Sequence, residues 1–306
     1  MRMLQYAIFT RRHSDIHDIH NIHNIHDIHN IHNIHNIHNI QEADMKRITS
    51  RDNPTFKALK SLSEDAREQR RQGMTLIEGC HVIQAYRDKL GQPERLILSE
   101  HGMEQPEIQV LCATLPAVEQ LLLRDSLFRE ISDLATPAGV CAAIRIPSSQ
   151  ASGVSGSCVL LDALQDAGNV GSILRSAAAA GIADVFLGSG CAGAWTPRVL
   201  RAAQGAHFSL RLHEQADLAG VMARFSGSTM AATAHGGEPL FVIDLTGNVA
   251  WLFGSEGGGI SPALEAAAAK RAMIPLADGS ESLNVAAAAA ICLFEEVRQK
   301  AALARR

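Results

Sequence analysis

The feature that most restricts this fold is a strand, a helix and a second strand within about 30 residues, from Cys158 to Leu187. Residues 158–161 read as an apolar strand, 170–180 as a helix stopped at Gly181, and 183–187 as another strand. Strands joined by so long a crossover must run parallel. The alternation continues with helix 197–204, strand 208–212, helix 214–225, strand 229–234, strand 249–253, helix 262–270, strand 272–274 and a long helix over 282–303. The expected architecture over 157–306 is therefore α/β with a parallel sheet.

A smaller α/β domain is expected over 45–147. It opens with a helix over 54–71, where Asn53 is the N-cap and Pro54 the first helical residue. Strand 75–78, helix 81–90, strand 95–98 and a helix near 117–122 follow, and residues 148–156 read as a linker. Residues 1–44 are different. Isoleucine recurs every third position from Ile16 to Ile40, mostly in Ile-His-Asn or Ile-His-Asp triplets. A period of three would spiral its isoleucines around a helix, so no packed element and no function is expected there. The segment reads as a tandem expansion upstream of the folded chain, with Met45 a natural beginning. Its histidines could take up transition metals only adventitiously, and no metal site is assigned.

The formal net charge of −4 over 306 residues excludes a polycation, so contact with nucleic acid must come from a local patch. One candidate is the basic run that holds Lys46, Arg47, Arg51, Lys57 and Lys60, whose alternative is an ordinary solvated face. No apolar run reaches the ~18 residues that would span a bilayer, and residues 1–12 lack the pattern of a secretory signal. The six cysteines are scattered without a C-x-x-C pair. Reduced thiols in a cytoplasmic protein are the expectation, not a disulfide framework or a zinc site.

Three segments depart from what packing alone requires. LDALQDAGNVGSILRSA puts a polar loop at the end of a strand, where open α/β sheets bind ligands. In it Asn169 can cap the following helix. Arg175 lies within two turns of that helix's start, where the dipole disfavours a cation; it is either a surface residue or a group held for a phosphate or carboxylate. LFGSEGGGIS leads from a buried strand into a glycine-rich loop, with Ser261 and Pro262 starting a helix. Its Glu256 would repel a pyrophosphate, so a cationic or neutral ligand fits better, unless the segment is a plain turn with Glu256 solvated. IPLADGSESLNVAAA repeats the strand, loop and helix theme, with Ser280 or Ser282 as candidate caps. Asn284 then falls in the first turn of an apolar helix, which suggests a buried polar contact.

Residues 188–193 match G-x-G-x-x-G, with Glu214 about 20 residues on. However, Thr196-Pro197 starts the helix after the last glycine, and the match follows the second strand of the unit. A dinucleotide-dependent oxidoreductase is a weak competitor on this ground.

Together the three segments resemble the motifs of the SpoU (TrmH-type) RNA ribose 2′-O-methyltransferases of the SPOUT superfamily. The first domain resembles that family's small ribosomal-protein-like substrate-binding unit through ITSRDNPTFKALKSL, LIEGCHVI and LFREISDLATPAGV. The resemblance implies a sheet closed by a deep trefoil knot, a homodimer, S-adenosylmethionine as cofactor, and rRNA or tRNA as substrate; neither DNA nor a membrane is an expected partner. It implies that Gly254, Ile274 and Leu283 surround the cofactor's adenosine. Arg175 matches the catalytic arginine, with Asn169, Glu256, Ser282 and Asn284 as the polar groups around it, and the basic run would hold RNA. A guanidinium whose pKa exceeds ~12 suits charge stabilisation better than proton abstraction. Two positions depart from the family: Ala286 and Ala203 stand where serine is usual. A non-catalytic RNA-binding protein on the same scaffold is a second competitor, against which the presence of Arg175, Glu256 and Asn284 weighs.

Overall fold

The computed structural model describes residues 45–147, 154, 156–278 and 281–305. The isoleucine-histidine repeat, most of the expected linker and Ser280 lie outside the described residues. Residues Lys46–Arg306 form one compact unit with two sheets.

The first sheet begins with β1 (Lys46–Ile48). Helix α1 (Pro54–Glu64) follows, capped by Asn53, whose Oδ1 accepts from Thr55 N at 2.9 Å. Phe56, Leu59 and Leu62 form its buried stripe. The single helix expected over 54–71 is two. Asp65 adopts an extended conformation and caps α2 (Ala66–Gln72), its Oδ1 accepting from Arg67 N at 2.7 Å. After β2 (Met74–Glu78), α3 (Cys80–Leu90), β3 (Arg95–Ser99), α4 (Glu100–Met103) and α5 (Pro106–Ala113) comes a larger correction. Residues expected as a helix near 117–122 form β4 (Glu119–Leu123), lying between β1 and β3. Leu121, Leu122 and Leu123 are all buried, and so continuous an apolar run carries no periodicity to separate strand from helix. Helix α6 (Asp125–Ile131) leads to β5 (Val140–Arg145), a strand the sequence reading did not assign. It inserts antiparallel between β3 and β2, giving the order β1-β4-β3-β5-β2.

The second sheet is parallel, as expected. Its elements in chain order are β6 (Cys158–Asp162), α7 (Ala167–Ala179), β7 (Asp184–Leu187), α8 (Pro197–Ala203), β8 (Arg211–Glu214), α9 (Leu218–Arg224), β9 (Ser228–Thr233), β10 (Glu238–Pro239), β11 (Val249–Gly254), α10 (Pro262–Ala267), β12 (Lys270–Met273) and α11 (Val285–Leu303). Strand order is β10-β12-β9-β11-β6-β7-β8, and every pair is parallel. Strand β8 begins three residues later than expected because residues Ala206–Ser209 form a 3-10 turn. Likewise the segment expected as helix 214–225 is helical only over α9, which Asp217 caps through Gly220 N.

Alternate residues of β11 face opposite layers. Ala250 and Leu252 pack with Leu160, Ala231, Leu218 and Met222. Trp251 points the other way, and its Nε1 donates to Glu296 Oε2 of α11 at 2.6 Å. Glu296 is buried and also accepts from Lys300 at 2.6 Å, so the carboxylate is charge-compensated. On the same side α7 lies against α8 with no room for a side chain at Gly171, where a Cβ would stand 2.4 Å from that of Ala202.

The sheets are joined through one buried hydrogen bond and a more exposed ion pair. Thr75 Oγ1 donates to Trp195 O at 2.7 Å; on the second side of this contact the Trp195 ring lies 5.0 Å from His207, whose Nε2 meets Ala194 O at 2.7 Å. Arg201 Nη1 reaches Asp133 Oδ2 at 2.8 Å across the same junction.

Candidate functional site

The carboxyl ends of β9, β11 and β12 converge on a cavity of about 570 Å³, bordered by the start of α11. The loop after β11 is folded on itself: Ser255 N donates to Gly259 O at 3.0 Å and Gly259 N to Ser255 O at 2.9 Å. Gly259 takes a φ of +64°, in the left-handed region that favours glycine. A Cβ on Gly254 would fall 2.1 Å from the Gly259 carbonyl carbon, so this turn closes only over glycine. Asp162, the last residue of β6, fixes the far end of the loop by accepting from Ser261 N at 2.7 Å. Ser261 occupies the expected N-cap position of α10, although its side chain makes no capping bond.

Six of the eight cofactor and polar site residues expected from the sequence border this one cavity: Gly254, Glu256, Ile274, Ser282, Leu283 and Asn284. Asn169 joins them by hydrogen bonds. Its Nδ2 donates to Glu256 Oε1, and its Oδ1 accepts from Asn284 Nδ2 at 3.0 Å. All three motifs thus meet through one side chain.

This arrangement corrects two capping assignments. Asn169 does not cap α7; Asp166 does, accepting from Asn169 N at 2.7 Å, which frees the Asn169 amide for its neighbours. Nor does Asn284 lie inside the first turn of α11. It is the N-cap itself, with Oδ1 accepting from Ala286 N at 3.0 Å and Ala287 N at 3.3 Å. A side chain has both an acceptor and a donor end, so one Asn caps the helix and still bonds Asn169.

Arg175 is not among the residues lining the cavity. It is exposed on α7, six residues beyond Asn169, or about 9 Å along the helix axis. Of the basic run, Arg51 and Lys60 both bond Glu130, at 2.6 and 3.1 Å, and Lys57 bonds Asp52 at 3.1 Å. Hydrogen bonds from Arg51 and Lys60 draw the Glu130 carboxyl below its ordinary range. Lys46 and Arg47 stay exposed on β1. Ala203 is fully buried and Ala286 nearly so, hence a serine at either position would require a polar partner.

The glycine stretch 188–193 is occupied structurally. Ala192 N donates to Leu164 O at 2.7 Å, Ala194 N donates to Glu214 Oε1 at 2.7 Å, and α8 starts only at Pro197. Glu214 therefore braces a loop where a dinucleotide site would need it for a ribose. The cysteines are free thiols, and burial pushes Cys80 and Cys112 up to about 11 and Cys158 and Cys292 up to about 12. Among the described residues no group of three or more His, Cys, Asp or Glu is placed to hold a metal, and no helix is long and apolar enough to cross a membrane.

Sequence reasoning missed two groups here. Asp162 lies in the first motif but carried no distinguishing signal beyond ending a strand. Thr233 ends β9 on the cavity wall, and its hydroxyl is buried with no hydrogen-bond partner among the described residues.

Residues 156–294 match the model of the SpoU rRNA methylase family, and residues 53–142 match that of an MRM3-like substrate-binding domain. An uncharacterised tRNA/rRNA methyltransferase of Synechocystis is 31% identical over 84% of this chain and 96% of its own. A 23S rRNA guanosine 2′-O-methyltransferase of Bacillus subtilis is 29% identical over 82% of this chain and 98% of its own. The crystal structure of the SpoU methyltransferase AviRb from Streptomyces viridochromogenes, in complex with AdoMet, superposes with a TM-score of 0.75 at 25% identity, covering 81% of this chain and 98% of that one. Motifs, cavity and likeness over nearly the whole length of these relatives agree: the chain belongs to the SpoU rRNA methylase family.

Proposed function

We propose that this protein is an S-adenosylmethionine-dependent RNA ribose 2′-O-methyltransferase acting on rRNA or tRNA. The observation that carries the reading is the bonding of Asn169 to both Glu256 and Asn284 at the rim of a cavity walled by Gly254, Ile274 and Leu283. The site fits the cofactor on its own terms. It pairs apolar walls, including Ile260, Ile274 and Leu276, with a carboxylate and an unsatisfied hydroxyl at Thr233. Such a lining suits a molecule with a flat base, a polar sugar and a cationic centre.

Bound S-adenosylmethionine supplies an electrophilic methyl group. The protein's share is to hold the ribose hydroxyl in line with that carbon and to offset charge growing on the oxygen. Arg175, exposed on α7, takes the second task, its guanidinium offsetting charge on the phosphate or the incipient alkoxide. Asn169, Glu256, Ser282 and Asn284 set the positions of the groups around it. Gly254, Ile274 and Leu283 hold the adenosine.

In this reading residues 45–147 form the RNA-holding domain, 148–156 the linker and 157–306 the catalytic domain. Exposed Lys46 and Arg47 contact phosphates, and Arg51, Lys57 and Lys60 must exchange their carboxylate partners to do so. A deep trefoil knot around the cavity, a cytoplasmic location and a homodimer complete the proposal. The dimer draws support from exposed Ile291 and Phe294 on α11, the helix packed beside α7. Transfer of labelled methyl from S-adenosylmethionine to total RNA, followed by mapping of the modified ribose, tests the function. Label found only on bases, or no label at all, defeats it.

A further inference from the structure

Three buried side-chain atoms lack a hydrogen-bond partner among the described residues: Gln120 Oε1, His207 Nδ1 and Thr233 Oγ1. Only Thr233 lines the cavity at the strand ends. Three other threonine hydroxyls at buried or half-buried positions are engaged. Thr75 Oγ1 donates to Trp195 O at 2.7 Å, Thr196 Oγ1 donates to Gly193 O at 2.8 Å, and Thr229, four residues before Thr233 on the same strand, accepts from Ala269 N at 2.8 Å. A hydroxyl removed from water without a partner costs free energy, so an unsatisfied one beside a ligand cavity points to the ligand as its partner.

The backbone around Thr233 is already committed to the sheet. Thr233 is in register with Met273 of β12, the residue before Ile274, and Ile274 faces the same cavity. What remains available is the side chain. Its three staggered χ1 rotamers exchange hydroxyl and methyl at one Cβ, so the oxygen can turn toward an occupant without moving the strand.

We propose that Thr233 is a cofactor-binding residue, whose hydroxyl forms a hydrogen bond with S-adenosylmethionine and is satisfied only when that molecule is bound. The inference rests on the functional reading above and adds a residue that neither the motifs nor the capping pattern point to.

Titration calorimetry of the full chain with S-adenosylhomocysteine, on the parent protein, Thr233→Val and Thr233→Ser, tests it. Valine keeps the shape and removes the hydroxyl, and serine keeps the hydroxyl. Thr233→Val is expected to weaken binding about five- to tenfold, the scale of one hydrogen bond, and Thr233→Ser to stay within about twofold. Thermal unfolding of the ligand-free proteins separates this from a structural role. Because the hydroxyl has nothing to lose in the empty protein, Thr233→Val should unfold at the same temperature as the parent or slightly higher. Parent-like affinity in Thr233→Val overturns the proposal, as does a lowered ligand-free unfolding temperature. No binding by the parent protein overturns it together with the functional reading, whereas binding lost by neither variant sinks this inference alone.

Discussion

Around the five-stranded sheet, charged side chains close on one another. Arg51 and Lys60 share Glu130, and Arg95 holds Glu119 across adjacent strands at 2.6 Å. At the carboxyl end of the seven-stranded sheet the pattern is reversed. Asn169, Asn284 and Asp162 are held by amides and helix starts, and Glu256 bonds an amide and forms no ion pair among the described residues. Exposed ion pairs contribute little to stability and exchange readily with another anion. Polar groups fixed by neutral donors keep their geometry and leave their charge for a ligand. Under the proposed function, the first surface would hold an RNA backbone loosely and the second would align a reaction.

The sharpest way to break this contrast is Arg175→Ala. Turnover should fall by roughly a hundredfold or more, with S-adenosylhomocysteine affinity measured by calorimetry within about twofold of the parent. Comparable turnover in the variant would remove the guanidinium from the mechanism. Gly254→Ala comes next. A methyl group 2.1 Å from the Gly259 carbonyl carbon must push the loop aside, and cofactor affinity should drop about 30-fold, on the scale of overpacking a close contact.

The third prediction concerns the junction between the sheets. Burial holds His207 down at about 4, from an ordinary 6.5. Below pH 6.5 the unfolded chain takes up a proton that the folded chain refuses until about pH 4. The stability contributed by neutral His207 is therefore present above that window and lost as pH falls through it, by about 1.4 kcal/mol per pH unit. Urea unfolding at pH 7 and pH 5.5 should show the loss, and His207→Gln should reduce it. An identical pH response in the variant would assign the effect to other groups. The smallest effect is expected on the first surface. Reversing exposed Lys46 and Arg47 to Glu should weaken RNA binding several-fold and flatten its salt dependence, with cofactor affinity untouched. An unchanged salt slope, read by filter binding, would move the RNA contact elsewhere.

Much of the second sheet could be read in advance because most of its strands end at a glycine or a polar loop and its helices start with a recognisable signal; the two-residue β10, which runs straight into an apolar turn, gave none. The first sheet hid two strands. The β4 leucines present one apolar block, and β5 carries two alanines, whose propensity says little about a strand enclosed on both sides. The residues that gather at the cavity were legible as motifs, but not their roles as caps: Asp166 and Asn169 are each plausible before α7, and only the fold decides between them. Thr233 gave no signal at all, since a β-branched residue at the end of a strand looks like any other part of a core.

Thr75 and Trp195 have a further consequence. Their buried hydrogen bond and the more exposed Arg201–Asp133 pair tie together, under the proposed function, the half that would grip the transcript and the half that would modify it. Target choice under that proposal would become a matter of span: a nucleotide would be selected when its distance from the gripped stem matches the spacing these ties set, as with a caliper.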